Sequence, residues 1–286
     1  MSSSLENNPS PVINFRDYGV AGIDADILRS IGRSISSYFF PDAARRLNIP
    51  HVRGMLFWGR PGVGKTKIAR AIAKILHAEE TVKIFNGPEM RRHILEDGEA
   101  GEQYIINAMF ESAENEWREK GALSHVHVII IDEIEAVFPA SSGLKKSSFV
   151  NRFLSHFDGV SPLMNIMVIG LTSHRHIVDE SLLRPGRLEV SFGIPLPTAA
   201  GREEIFQLFL SKLHDQNHLE DSIMHGLRDL AWKTEFFSGA EIESVVRGAT
   251  GHAFERAAKH GNSSGVKVAW SDLELTISDI SPAGRW

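Results

Sequence analysis

Gly59-Arg-Pro-Gly-Val-Gly-Lys-Thr66 decides the fold. Glycine, four residues, then Gly64-Lys65-Thr66 is the spacing of a phosphate-cradling loop. In such a loop backbone N–H groups turn inward, the lysine reaches the terminal phosphates and the hydroxyl ligates magnesium. Met55-Leu-Phe-Trp58, just before it, is an apolar run of strand length, and residues 65–76 after it have helical periodicity. The positive end of that helix would face the same phosphates. Strand, glycine loop and helix in that order separate a nucleotide site from a chance glycine-rich turn. Pro61, Gly62, Val63, Gly64, Lys65, Thr66 and, within the helix, Ile68 are the nucleotide-binding candidates.

Working outward, Val128-Ile-Ile-Ile131 runs into Asp132-Glu133. A purely aliphatic strand is the kind buried on both faces of a parallel sheet. An acidic pair at its C-terminal end would lie beside the phosphate loop. Asp132, with Thr66, would hold magnesium, and Glu133 would polarise the attacking water. Apolar runs at 82–85, 166–171 and 189–194 alternate with helical patterns at 99–120 and 149–157. This alternation predicts an α/β fold with a doubly wound parallel sheet. Past Pro195 and Pro197 the stretches 200–214, 223–233 and 239–259 read as helices. Residues 261–265 read as a flexible break, and 271–280 as a last helix capped by Ser271. The expected organisation is a disordered tail at 1–12, a large α/β nucleotide-binding domain at 13–197 and a small helical lid domain at 198–286.

The 286 residues, 42% hydrophobic, supply core enough for such a pair. With 31 basic and 36 acidic side chains the net charge is -5, which argues against nucleic-acid binding. There is no cysteine, so disulfides and thiolate metal sites are excluded, and a reducing, cytoplasmic setting fits. No apolar run approaches the roughly 20 residues that span a bilayer, and the Ser, Asn and Pro-rich start lacks a signal core.

Together with Leu182-Leu-Arg-Pro-Gly-Arg187, these motifs make the chain resemble the AAA+ ATPases. The segments Asn86-Gly-Pro-Glu89, Val168-Ile-Gly170 and Phe237-Ser-Gly-Ala-Glu241, with the longer run at 178–189, are most similar to the first ATPase domain of the N-ethylmaleimide-sensitive fusion factor branch. The resemblance implies ATP hydrolysis with magnesium at the subunit interfaces of a hexamer. By that resemblance the work done would be disassembly of SNARE complexes, recruited through an adaptor, in vesicle fusion and transport. Arg184 and Arg187 match the family's arginine fingers, which reach the phosphate held by a neighbouring subunit. Two guanidiniums on a rigid Pro-Gly turn suit a charge that grows in the transition state. Gly239 and Ala240 match the small residues that start the sensor-2 helix. Tyr18-Gly19-Val20 matches the segment whose backbone meets adenine, and Phe209 stands where many relatives carry a histidine near the base.

The sequence departs from the family at several points. Ser173 replaces the sensor-1 asparagine that orients the attacking water, so turnover is expected to be slow. Ile94-Leu-Glu96, after Arg91-Arg-His93, replaces the aromatic pore loop that grips substrate. Val63 stands where the namesake carries a reactive thiol, so the alkylating agent should not inhibit. Neither an adaptor-binding domain nor a second ATPase domain is recognisable, which implies a fragment or a stand-alone protein with a narrowed task. His174, Arg175 and His176 match no zinc spacing and read as a surface loop; His125 and His127 read as packed beside a core strand. Two functions remain open: an ATP-driven remodeller of protein complexes acting as a homo-oligomer, or a weakly catalytic nucleotide-binding regulator in a hetero-oligomer with a related AAA+ protein.

Overall fold

Strand side chains alternate between two faces, and here both faces are apolar. Met55, Phe57, Val128, Ile130, Met167 and Ile169 enter one core cluster, while Leu56, Ile129, Ile131 and Val168 enter the other. The strands are β1 (Gly54–Trp58), β2 (Lys83–Asn86), β3 (His127–Asp132), β4 (Ile166–Thr172) and β5 (Val190–Gly193). All pair in parallel, in the order β2-β3-β4-β1-β5. The computed structural model describes residues 13–140, 148–158, 163–259, 266–280 and 282, so the expected tail at 1–12 and the break at 261–265 lie outside it.

Helices close both faces, as a parallel sheet requires. They are α1 (Ala25–Ile35), α2 (Pro41–Leu47), α3 (Lys65–Ile75), α4 (Gly87–Lys120) and α5 (Ser148–Asp158). Residues of α1 and α3 pack on the first cluster, and those of α4 and α5 on the second. No chemical motif marks α1 or α2, but local signals do. Asp24 caps α1 by accepting from the N–H groups of Asp26 (2.7 Å) and Ile27 (3.4 Å), and Pro41 opens α2. Helix α4 starts twelve residues before the expected 99, capped by Asn86, which accepts from the Glu89 N–H at 3.1 Å. Gly98, at φ 55° and ψ -128°, breaks it. The break resets the helical phase, so the apolar periodicity reads only beyond it.

The described residues after Pro197 contain helices and no strand: α6 (Ala199–Asp215), α7 (Asp221–His225), α8 (Leu227–Lys233), α9 (Gly239–Lys259) and α10 (Trp270–Asp279). Phe206, Leu210, Leu230, Val245 and Leu273 belong to a third, separate core cluster. The expected helix at 223–233 is two. Gly226 parts them, and a Cβ there would sit 2.6 Å from the Trp270 ring. Ser271 does not cap α10. The helix begins one residue earlier, and the Asp272 carboxylate accepts from the Ala269 N–H at 2.9 Å. The proline turn is anchored by buried Arg202, which donates to the carbonyls of Pro197 and Ala231 at 2.9 Å each. Among the described residues no helix is long and apolar enough to cross a membrane.

Candidate functional site

Parallel strands end on one edge of the sheet, and the register decides which ends meet. Trp58 lies opposite Thr172, and Asn86 opposite Asp132. The loops leaving β1, β3 and β4 are therefore side by side, where an open α/β sheet places its ligand. A cavity of about 390 Å³ opens there, lined by the 61–66 loop, Asp132, Glu133, Thr172, Ser173, Gly239 and Ala240.

The loop after β1 turns back on itself through Gly62 (φ 79°) and Gly64 (φ 102°), left-handed conformations that glycine adopts at little cost. No side chain caps α3, so its first N–H groups are available at the cavity. Lys65 is only 9% exposed. Its ammonium donates to the carbonyls of Gly59 (2.7 Å) and Arg60 (3.1 Å). Burial lowers its pKa, opposed by the carboxylates of Asp132 and Glu135. Charged phosphate oxygens are stronger acceptors than these carbonyls and would compete for the ammonium.

Across the cavity, β3 ends at Asp132. Glu133 then takes φ 50° and ψ 50°, a left-handed backbone that costs energy for a residue with a side chain. Its N–H donates to Asp132 Oδ1 at 3.0 Å. The turn delivers two adjacent carboxylates to one wall. Thr172 is 1% exposed, and its hydroxyl oxygen accepts from the His174 N–H at 2.9 Å. Half-buried Ser173 follows it at the cavity. The opposite wall belongs to the helical part: the Ala240 N–H at the start of α9 donates to the Gly62 carbonyl at 3.1 Å.

Thr66 and Asp132 contribute oxygen donors to the same cavity, the chemistry magnesium takes. Among the described residues no cluster of three His, Asp or Glu could hold a metal ion. A divalent ion here would therefore complete its shell with phosphate oxygens and water, the usual habit of magnesium.

Four expected residues lie elsewhere. Val20 is 2% exposed, and its N–H donates to the Phe15 carbonyl at 3.1 Å; its neighbours Gly19 and Ala21 line the cavity instead. Ile68 is fully buried in the core beneath the sheet. Arg184 and Arg187 stand outside the cavity, on the turn before β5. Arg187 is tied within its own chain, its Nε donating to Asp158 at 2.6 Å, whereas Arg184 is exposed. The cavity also takes Lys67, Ile205, Leu208, Phe209 and Glu243. Of these the sequence singles out only Phe209: Ile205, Leu208 and Glu243 reach the cavity through the packing of α6 and α9, and Lys67, next to Thr66, carries no motif position of its own.

His125 is exposed rather than packed, and His127, which is buried, does more than pack. Glu116 accepts from Lys120 (2.9 Å) and lies 2.7 Å from both His125 Nδ1 and His127 Nε2. Burial raises the Glu116 pKa, but the hydrogen bonds from Lys120, His127 and His125 outweigh it and hold the carboxyl well below the usual range. His174, Arg175 and His176 are all exposed, as a surface loop should be. The stretch expected to stand in for an aromatic pore loop lies within α4, where Ile94 packs against the core while Leu95 is 73% exposed.

Comparison with known proteins matches residues 55–196 to the AAA family, the ATPase family associated with various cellular activities. The vesicle-fusing ATPase of Dictyostelium discoideum is 38% identical over 293 residues, covering 98% of this chain and 39% of that protein. The vesicular-fusion protein SEC18 of Saccharomyces cerevisiae is 37% identical over 301 residues, 99% of this chain and 39% of its own length. The proteasome-activating nucleotidase of Methanopyrus kandleri is 33% identical over 249 residues, 85% of this chain and 52% of its own. The chain thus spans about two fifths to about half the length of these relatives.

Proposed function

This chain carries an AAA-family ATPase domain, and from that premise we propose that it hydrolyses ATP with magnesium at an interface between subunits to remodel protein complexes. The observation that carries the reading is the meeting, in one cavity, of the 61–66 loop, the Asp132-Glu133 turn and the end of β4. The loop N–H groups and Lys65 bind the β- and γ-phosphates. Glu133 accepts a proton from the attacking water. Ser173, with Thr172 beside it, orients that water. Thr66 and Asp132 hold magnesium, whose chemistry here is to neutralise phosphate charge. Residues 198–286 act as a lid over the nucleotide.

Among the described residues the cavity's own side-chain cations are Lys65 and Lys67, and no arginine lines it to meet the charge that develops on the transferred phosphoryl group. Arg184, exposed and outside the cavity of its own chain, is the residue we assign to a neighbour's site, with Arg187 beside it to be freed from Asp158 on assembly. A hexamer of this chain, or a mixed ring with a related protein, satisfies that geometry. The vesicle-fusing relatives favour a role in vesicle fusion, and the resemblance of the motifs to the N-ethylmaleimide-sensitive fusion factor branch extends the proposal to SNARE complexes as substrate in the cytoplasm. The regulator alternative draws on Ser173, which stands at the cavity where an asparagine is expected.

The deciding measurement is ATPase rate per subunit against protein concentration, repeated with mixed variants. Cooperative growth of the rate, and recovery of activity on mixing inactive Arg184→Ala with inactive Lys65→Ala, would support a shared site. A specific rate independent of concentration, with no recovery in demonstrably mixed oligomers, would exclude it.

A further inference from the structure

Lys67 follows the phosphate loop on the first turn of α3, yet its side chain reaches the helical part across the cleft. Its ammonium lies 3.2 Å from the Glu243 carboxylate on α9 and 4.6 Å from the centre of the Phe209 ring on α6. All three residues line the cavity. One side chain of the α/β part thus holds two helices of the other part at the cavity wall.

We propose that Lys67, Phe209 and Glu243 form a positioning strut that holds the helical part against the nucleoside half of a bound nucleotide and sets how fast nucleotide leaves. The inference rests on the nucleotide reading given above. If the phosphates occupy the N–H groups of the 61–66 loop, the base and ribose extend along the remaining lining. Gly19, Ala21, Ile205, Leu208 and Phe209 supply it, an apolar wall suited to a planar base. Part of that wall belongs to the α/β unit and part to α6, so release of the base requires the two to separate. The ammonium over the Phe209 ring fixes the ring as a stacking surface, and the ion pair to Glu243 resists separation directly.

Magnitudes place the effect on release rather than on folding. Lys67 and Glu243 are about half exposed, 50% and 49%. Such a pair changes an equilibrium only about 1.4- to 5-fold. The halves also keep other contacts: Gly22 N–H donates to Glu204 at 3.2 Å, Arg16 pairs with Glu204 at 3.5 Å, and Ala240 N–H bonds to Gly62. Loss of the strut therefore leaves the fold in place and loosens one end of the site.

The test is stopped-flow release of a fluorescent ADP analogue, with equilibrium binding of ATP and of inorganic tripolyphosphate, which has no nucleoside. Glu243→Gln and Lys67→Met should speed release about 2- to 5-fold, and Phe209→Ala about 2- to 10-fold. The charge swap, Lys67→Glu with Glu243→Lys, should return release to near the parent rate. Added salt should speed release from the parent more than from Glu243→Gln. Tripolyphosphate affinity should be unchanged in Glu243→Gln and Phe209→Ala while ATP affinity falls. Parent release rates in these variants, or tripolyphosphate weakened as much as ATP, would overturn the strut. Lys65→Ala separates the two readings. If it loses both ligands while the strut variants behave as parent, the strut alone is wrong. If it loses neither, the nucleotide site falls and the strut with it.

Discussion

Strand β3 runs from His127 to Asp132, and its two ends treat charge in opposite ways. At the start, the Glu116 carboxylate is surrounded by Lys120, His125 and His127 at 2.7–2.9 Å and also accepts from the His125 N–H at 3.2 Å. At the end, the carboxylates of Asp132 and Glu133 face a cavity beside a buried lysine whose hydrogen bonds, among the described residues, go to carbonyls of its own loop. A buried charge is costly unless it is paired. The first cluster pairs the Glu116 carboxylate within the chain and leaves only the buried His127 Nδ1 of that group without a partner among the described residues, so its contribution is to stability. The second leaves capacity that a polyanion with a divalent ion would complete, and strain at Glu133 is retained where it aims a carboxylate. Both ends carry ionisable side chains on the same strand; what distinguishes a binding site from a structural network is which of them remain to be satisfied.

That contrast can be broken by substitutions at either end. The largest effect belongs to Glu133→Gln, which keeps size and removes the proton acceptor: ATP should still bind, while turnover falls about 100-fold or more. Parent-like hydrolysis in a steady-state phosphate-release assay would return Glu133 to the structural class. Next is Lys65→Ala. Loss of a charge-assisted contact of about 1.5–3 kcal/mol should weaken ATP binding roughly 10- to 100-fold, read by titration of a fluorescent analogue. Unchanged affinity would mean that the cavity is not a triphosphate site.

Ser173→Asn tests the open end from the other direction. Ser173 lines the cavity, and Thr172 beside it already uses its oxygen to accept from His174. A longer carboxamide should hold the water better, since misplacement by about 1 Å costs on the order of 100-fold in rate. We expect a several-fold rise in kcat with little change in affinity; no rise would give the role to the Thr172 hydroxyl. The smallest effect on the site is expected from Glu116→Gln, which should leave ATP affinity as it is and lower stability by about 1.5–3 kcal/mol at neutral pH. Because the folded carboxyl is held below its usual value, its contribution is complete above the ordinary glutamate pKa of about 4.3 and fades as pH falls below it. Urea unfolding of parent and variant should therefore converge in acid. A gap that widens in acid would mean that the network does not depend on an ionised Glu116.

Much of the open end was legible in the sequence, because its parts are local. The glycine spacing at 59–66, the aliphatic run into Asp132-Glu133 and the five strands each depend on neighbours a few residues away, and periodicity reports them. The same logic missed the first twelve residues of α4, up to Gly98 where the phase resets, and passed over α1 and α2, whose signals are caps and a proline rather than chemistry. Ile68 shows the limit from the other side. It belongs to a segment that reaches the site, but its side chain faces the core, and a motif does not say which side a neighbouring residue presents.

By itself, then, the sequence determined the parallel α/β framework, the phosphate loop and its acidic partner, since each is written in contiguous residues whose backbone and alternation carry the information. Only the tertiary structure decided that Lys67 would meet Phe209 and Glu243, that Glu116 would gather two histidines and a lysine, and that Arg187 would be held by Asp158 while Arg184 stayed exposed. Among these pairings only Lys120, one turn from Glu116, was near enough in sequence to be foreseen. The others join residues nine to 176 positions apart. At such separations it is the packing of whole elements, decided by their apolar faces, that chooses which polar groups come within reach.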